Sequence, residues 1–156
     1  LAQFSTKTAD EKIVAYLNYQ GSYGGAYNLT QFDLVLTGAV SDKFSIGYNG
    51  TVQSVKPDGL SSDSWWGSAV YLTADPTEKF GITLRGEYFD NEKGANPYAP
   101  MSSIFDLTLS PNFKIGNLTI IPELRIDAAR DGIFEKSDGT STKSTVTGIL
   151  AATYHF

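Results

Sequence analysis

The sequence predicts an all-β fold: a transmembrane, antiparallel, up-and-down β-barrel of about eight strands. Three observations predict it. Runs of ten or more residues alternate apolar with polar side chains, short turns alternate with longer polar loops, and aromatic residues collect at the ends of the apolar faces. Alternation with period two marks a strand lying between two environments. A mean hydropathy near neutral, −0.17, suits such strands, because a barrel strand offers only alternate residues to lipid. The chain has no run of about 18 apolar residues from which a membrane helix could be made.

The strands are expected over 12–23, 29–40, 44–55, 65–74, 80–89, 103–114, 118–131 and 144–156. Their lengths exceed the usual soluble strand of about 5–6 residues and suit a tilted bilayer crossing of about 9–11. In 29–40, Phe32, Leu34, Leu36 and Val40 oppose Asp33 and Thr37. In 44–55, Phe44, Ile46, Tyr48 and Val52 oppose Ser45, Asn49, Thr51 and Gln53. The strand over 80–89 sets Phe80, Ile82, Leu84 and Tyr88 against Thr83, Arg85 and Glu87. The next sets Phe105, Leu107, Leu109 and Phe113 against Asp106, Thr108, Ser110, Asn112 and Lys114. Over 118–131, Ile120, Leu124 and Ile126 oppose Glu123, Arg125, Asp127 and Asp131. The last strand carries Val146, Leu150, Tyr154 and Phe156 on one face and His155, Thr153 and Thr147 on the other. Charges grouped on one face cannot enter a dry apolar core cheaply.

The connections 41–43, 75–79 and 115–117 are tight and supplied with Asp, Pro, Gly and Asn. Those at 24–28, 56–64, 91–101 and 132–143 are longer and polar. Short turns at one rim and long loops at the other belong to an outer-membrane barrel, the turns periplasmic and the loops outside. Phe44, Phe80, Phe113 and Phe156, with Tyr154 beside the last, then form one aromatic girdle, and Tyr19, Tyr88 and Phe105 another. Pro111 and Pro122 on the apolar face each remove a ladder donor, a loss that a bulge near the rim would absorb.

The 156 residues suffice for one domain, 1–156, within which 1–10 is expected to be the remnant of a preceding strand and its periplasmic turn. Those ten residues carry no basic start followed by an apolar run, so they do not read as an export leader. A net charge of −5 and a pI near 4.7 argue against a nucleic-acid partner. With no cysteine and one histidine, neither a thiolate metal site nor a His-rich one is available.

No catalytic residue, metal or cofactor is expected. Glu123 and Arg125, with Arg85 and Glu87 two strands away, have the residue types of acid–base chemistry, but strand alternation alone accounts for them as lumen lining. The lumen-lining set is Asp33, Arg85, Glu87, Asp106, Lys114, Glu123, Arg125 and Asp127. His155 at a terminal rim is expected to be solvated. Trp65-Trp66 has the faces of a sugar-stacking platform; the plainer reading puts one ring in the outer girdle and the other at the lumen mouth. Loop acids Asp58, Asp63, Asp90, Glu92 and Asp138 lack Asp-x-Asp-x-Asp spacing for a divalent cation. Gly24-Gly25 precedes no helix and cannot cradle phosphate.

Three junctions repeat a phrase: "VSDKFSIGYNG", "ADPTEKFGITLRGEYF" and Thr8 to Ile13 leading into "VAYLNYQG". Together with "FDLVLTGAVSDKFSIGYNGT", "GNLTIIPELRIDAARDGIF" and the terminal "ATYHF", they resemble the carboxy-terminal half of the OmpL-like β-barrel porin family of Gram-negative outer membranes. The resemblance covers nearly the whole chain and implies an outer-membrane barrel with pore activity, embedded in outer-membrane lipid and assembled by machinery that reads the C-terminal strand. It carries over no catalytic or ligand residue. Family members are longer, so a partner or remaining barrel segment is expected to share the wall.

The functional reading is passive diffusion of small hydrophilic solutes through a polar lumen. Two alternatives stay open. Eight strands closing on themselves would leave an interior filled by side chains, and the protein would be a plugged barrel with a structural, anchoring or adhesive role. A soluble sandwich binding ligands through its loops is the other.

Overall fold

A computed structural model describes all of residues 1–156 as strands and their connections, with no helix. In chain order the strands are β1 (Ala2–Lys7), β2 (Ile13–Ser22), β3 (Tyr27–Ser41), β4 (Phe44–Pro57), β5 (Asp63–Thr77), β6 (Phe80–Asp90), β7 (Ser103–Ile115), β8 (Leu118–Ala129), β9 (Phe134–Glu135), β10 (Ser141–Thr142) and β11 (Ser144–Tyr154). Nine of them form one antiparallel sheet in the order β1-β2-β3-β4-β5-β6-β7-β8-β11. The pair β9 and β10 makes a small separate hairpin within the last long connection.

Two expectations are corrected here. The sheet has nine strands, not eight, because the segment before the first turn pairs with β2 from Ala2↔Tyr19 to Lys7↔Val14. It also does not close: β1 and β11 pair on one side only and are open edges. The closed eight-stranded barrel is therefore not the architecture of this chain.

Strand ends depart from expectation for local reasons. Strand β5 runs to Thr77 because a register shift between Ala74 and Thr77 takes up Pro76. Strand β8 stops at Ala129, two residues early. There Asp131 leaves the ladder, its backbone NH donating to Ser102 Oγ, whose hydroxyl donates in turn to Asp131 Oδ2. Strand β11 ends at Tyr154, although the His155 amide still reaches the Asn117 carbonyl at 3.0 Å. Three short-rim turns leave only 42–43, 78–79 and 116–117 between strands. The connections 23–26 and 58–62 are no longer than the short-rim turn 8–12, so the sorting of loop lengths rests on 91–102 and 130–143.

The prolines are handled differently from the expected bulge. Between β7 and β8 the pairing breaks after Leu109↔Leu124 and resumes at Phe113↔Ile120 in the same register, which sets Pro111 opposite Pro122. Two residues without an amide hydrogen thus share one gap, and the rest of the ladder is spared. Side chains take over nearby: Asn112 Nδ2 donates to the Ser110 carbonyl at 3.0 Å, and Ser110 Oγ donates to Glu123 Oε2 at 2.7 Å.

The two faces divide by parity, and the polar face is the sheltered one. Asp106 and Thr108 are each 2 % exposed, whereas Leu107, Leu109 and Leu124 are 40 %, 39 % and 51 % exposed. There is no helix, and the only other sheet is the two-residue-strand hairpin β9–β10 in the last connection, so shelter on one side means that the sheet curls over it. The buried hydrophobic residues are only Ala69 and Ala95, while 86 of the 103 backbone hydrogen bonds lie within the strands. The ladder, and not an apolar core, organises the fold. A sandwich would bury these leucines between layers, and that reading falls. An apolar outer face on this scale marks a surface made to be covered, by lipid or by a partner.

A charge placed on that face tests the assignment. Leu109→Arg is expected to cost about 2–4 kcal/mol of folding stability in lipid vesicles, and Thr73→Arg on the sheltered face under about 1 kcal/mol. Denaturant titration of vesicle-folded protein measures both, and equal losses would reverse the assignment.

Candidate functional site

The sheltered inner face gathers the chain's charges between the rims, and three neighbouring strands supply most of them. Register places Arg85 of β6, Thr108 of β7 and Arg125 of β8 in one row, with Glu87, Asp106 and Asp127 in the next. Asp106 is the junction. Its Oδ1 lies 3.4 Å from Arg85 Nη2 and accepts a 2.9 Å hydrogen bond from Thr108 Oγ1, and its Oδ2 lies 2.5 Å from Arg125 Nε. That Nε donates instead to Asp127 Oδ1 at 2.9 Å, while Arg125 Nη2 donates to the same oxygen at 2.7 Å. Two buried atoms therefore lack an aligned hydrogen bond, Asp106 Oδ2 and Arg85 Nε, the latter 3.7 Å from Glu87 Oε2.

The remaining residues of the expected lining lie apart from this junction. Glu123 takes the Ser110 hydroxyl and no cation. Lys114 sits at the short-turn rim with its Nζ 2.6 Å from Asp75 Oδ1, a partner that the sequence offered only as a turn residue. Asp33 faces neutral groups: Asn18 Nδ2 and Asn49 Nδ2 donate at 2.8 Å each, and Thr51 Oγ1 at 2.6 Å. Toward the long-loop rim, Trp65 Nε1 donates to Gln53 Oε1 at 2.9 Å and Gln53 Nε2 to Gln31 Oε1 at 2.7 Å. Parity sets Asn49, Thr51 and Gln53 on the polar face, and the same count extended to β2 and β3 finds Asn18 and Gln31, which, being neutral, do not stand out in the sequence.

The inner wall thus has two territories. Strands β2 to β5 present amides, hydroxyls and aromatic rings around the single carboxylate of Asp33, and strands β6 to β8 present the ionic cluster. Between the rims, five carboxylates (Asp33, Glu87, Asp106, Glu123, Asp127) accompany two guanidinium groups (Arg85, Arg125). Such a surface can solvate and sort ions.

Aromatic residues mark both rims of the outer face. Phe80 and Phe113 pack at 5.4 Å between centroids, and Tyr154 meets Phe156 edge-on at 5.3 Å. At the other rim Trp66 packs on Tyr88 at 5.2 Å, and Tyr19 on Phe32 at 5.3 Å. Phe44 lies opposite Ala74 by the short turns, and Phe105 lies opposite Tyr88 near the long loops. Trp65, one residue from Trp66 and of opposite parity, packs instead on Phe89 of the inner face at 5.7 Å.

The 91–102 loop is ordered by one buried side chain. Asn91 Nδ2 donates to the carbonyls of Asn96, Ala99 and Pro100, and its Oδ1 accepts from the Asn96 amide at 2.8 Å. Glu92 fastens the loop to Arg130 by an ion pair and accepts the Ser103 hydroxyl. The Arg130 hydrogen bond, foremost, holds the Glu92 carboxyl below its ordinary range. A depressed carboxyl stabilises the folded arrangement above its ordinary pKa and ceases to do so as pH falls through the lowered value.

Three measurements follow from this geometry. Asp106→Ala leaves two guanidinium groups facing each other and is expected to cost about 1–3 kcal/mol in denaturant titration, moderated because both arginines reach water. Asn91→Ala removes four hydrogen bonds, roughly 3 kcal/mol of local stability, and proteolytic nicking within 92–101 should accelerate without change in the sheet. Hydrogen exchange of the same loop, corrected for intrinsic rates, should quicken as pH drops below the usual carboxylate range and should lose that dependence in Glu92→Gln.

No curated protein and no solved structure matches the chain. A family model does, over residues 1–156, and its description is "Putative beta-barrel porin-2, OmpL-like". An open antiparallel sheet with an apolar outer face, aromatic rims and a charged inner face is what one wall of such a barrel consists of, and this chain belongs to the OmpL-like beta-barrel porin-2 family.

Proposed function

We propose that this chain forms wall of an outer-membrane pore through which small hydrophilic solutes pass by diffusion, without chemistry. The observation that carries the reading is the inner face. Seven ionic side chains lie at mid-strand depth on the sheltered side of a sheet whose other side is leucine, isoleucine, valine and phenylalanine. Charges so placed need water, and water on that side of a membrane sheet is a lumen. Membership of a porin family supports the same role and a bacterial outer-membrane location.

The alternative, a plugged barrel of structural or adhesive role, requires about eight strands closing on a side-chain core. The open nine-stranded sheet favours a wider wall. In a bilayer the open edges β1 and β11 must find strand partners, since hydrocarbon satisfies no backbone group. Outer-membrane lipid against the aromatic rims, and assembly machinery engaging β11 with its terminal Tyr154 and Phe156, complete the set of proposed partners.

Five carboxylates against two arginines set the expected ionic preference toward cations. Planar-bilayer recording with a salt gradient tests it. An ohmic conductance whose reversal potential favours cations is expected, with the preference falling in Glu87→Gln and Glu123→Gln. A silent bilayer overturns the reading.

A further inference from the structure

The neutral territory of the inner wall contains a hollow that neither the family nor an ion pathway accounts for. Its floor is made of two small residues at successive inward positions of β5, Gly67 and Ala69, the latter 4 % exposed. Aromatic side chains surround the floor: Trp65 and Tyr71 lie above and below on the same strand, and Phe89 lies directly across from Gly67. A Cβ added at Gly67 would stand 3.7 Å from the Phe89 ring, so a longer side chain would fill the space between the rings. The opposite margin is polar, with Gln31, Asn49 and Thr51 from β3 and β4, and Glu87 on the β6 side.

The orientation of these groups is fixed by contacts outside the hollow. Trp65 is held by its hydrogen bond to Gln53 and by the Phe89 ring, tilted 47° to it. Gln53 passes the constraint on to Gln31 by accepting from Trp65 and donating to the Gln31 oxygen. The Gln31 amide nitrogen, the Asn49 amide oxygen and the Tyr71 hydroxyl make no hydrogen bond within the protein. Preset donors and acceptors beside aromatic faces are a recognition surface, not packing.

We propose that this hollow is a subsite for a neutral sugar ring. The proposal rests on the pore reading and names a solute class for it. A pyranose has an apolar C–H face, which suits the negative faces of Trp65 and Phe89, and an edge of hydroxyls that both donate and accept, which suits amides and a phenol. The hollow measures about 250 Å³. Sites for drug-sized ligands run to about 300–1,000 Å³, so this one admits a single ring at a time. Glu87 at the margin and the carboxylate excess beyond it repel sugar acids. An open subsite of this size corresponds to a dissociation constant on the order of millimolar, weak enough for a solute to move on.

Saturation-transfer difference NMR on the full chain in detergent micelles, with glucose and maltotriose as probes and glucuronate as the charged control, tests the subsite without requiring current. Transfer to both neutral sugars and none to glucuronate is expected. Gly67→Leu should abolish it, and Trp65→Ala should weaken binding at least about fivefold. Thr147→Leu, which sets the same leucine on the inner face at β11, away from the hollow, should leave it intact, and far-UV circular dichroism checks that each variant keeps its strands. No transfer to the wild type, or transfer unchanged in Gly67→Leu and Trp65→Ala, overturns the proposal. Bilayer current from the wild type separates the two readings. Current without sugar binding removes the subsite alone, and sugar binding without current removes the pore alone.

Discussion

The constraint on which everything else depends is the hydrogen-bonded ladder in an environment without water. A sheet whose outer side chains are leucines and valines at roughly two-fifths exposure cannot gain its stability by burying them under a second layer, because there is none. What remains is pairing of backbone groups that hydrocarbon would leave unsatisfied. This explains why the prolines cost so little: Pro111 and Pro122 face each other, and the two missing donors fall in one place. It explains as well why charge can be spent inside, where the curl of the sheet supplies neighbours and water together.

The inner face shows how one periodicity yields two kinds of surface. Alternation fixes which residues point inward, but strand identity decides what they meet. Over β6 to β8 the inward positions carry the ionic cluster, and Asp106 is held diagonally between Arg85 of one neighbouring strand and Arg125 of the other. Over β2 to β5 they are short or neutral, and Asp33 is satisfied by two amides and a hydroxyl. One half of the wall speaks to charge and the other to hydrogen-bonding capacity.

Much of this was legible in the residues. Each long strand declared its faces because a period of two survives over ten residues, and the rims were legible because Phe80, Phe113 and Tyr88 sit next to turn residues. Strand β1 was less plain. Ala2 to Lys7 are too few to show a period; what pointed to a strand there was the turn phrase repeated from Thr8 to Ile13, and these six residues pair with β2. Partners across strands were illegible for a different reason: register is not a local property. Nothing near Arg125 in sequence says that it leans on Asp106 while Glu123 turns to Ser110. Lys114 and Asp75 are far apart in the chain and meet only because β7 and β5 end at the same rim.

The direction of the outermost strands has a geometric corollary. Nine strands alternating up and down leave β1 and β11 running the same way, both toward the tight turns. A seam made directly between them, within one molecule or between two copies, would be parallel. A ring that is antiparallel all the way round has an even tally, so whatever spans the opening does so with an odd number of strands, the first and last of them running opposite to β1 and β11.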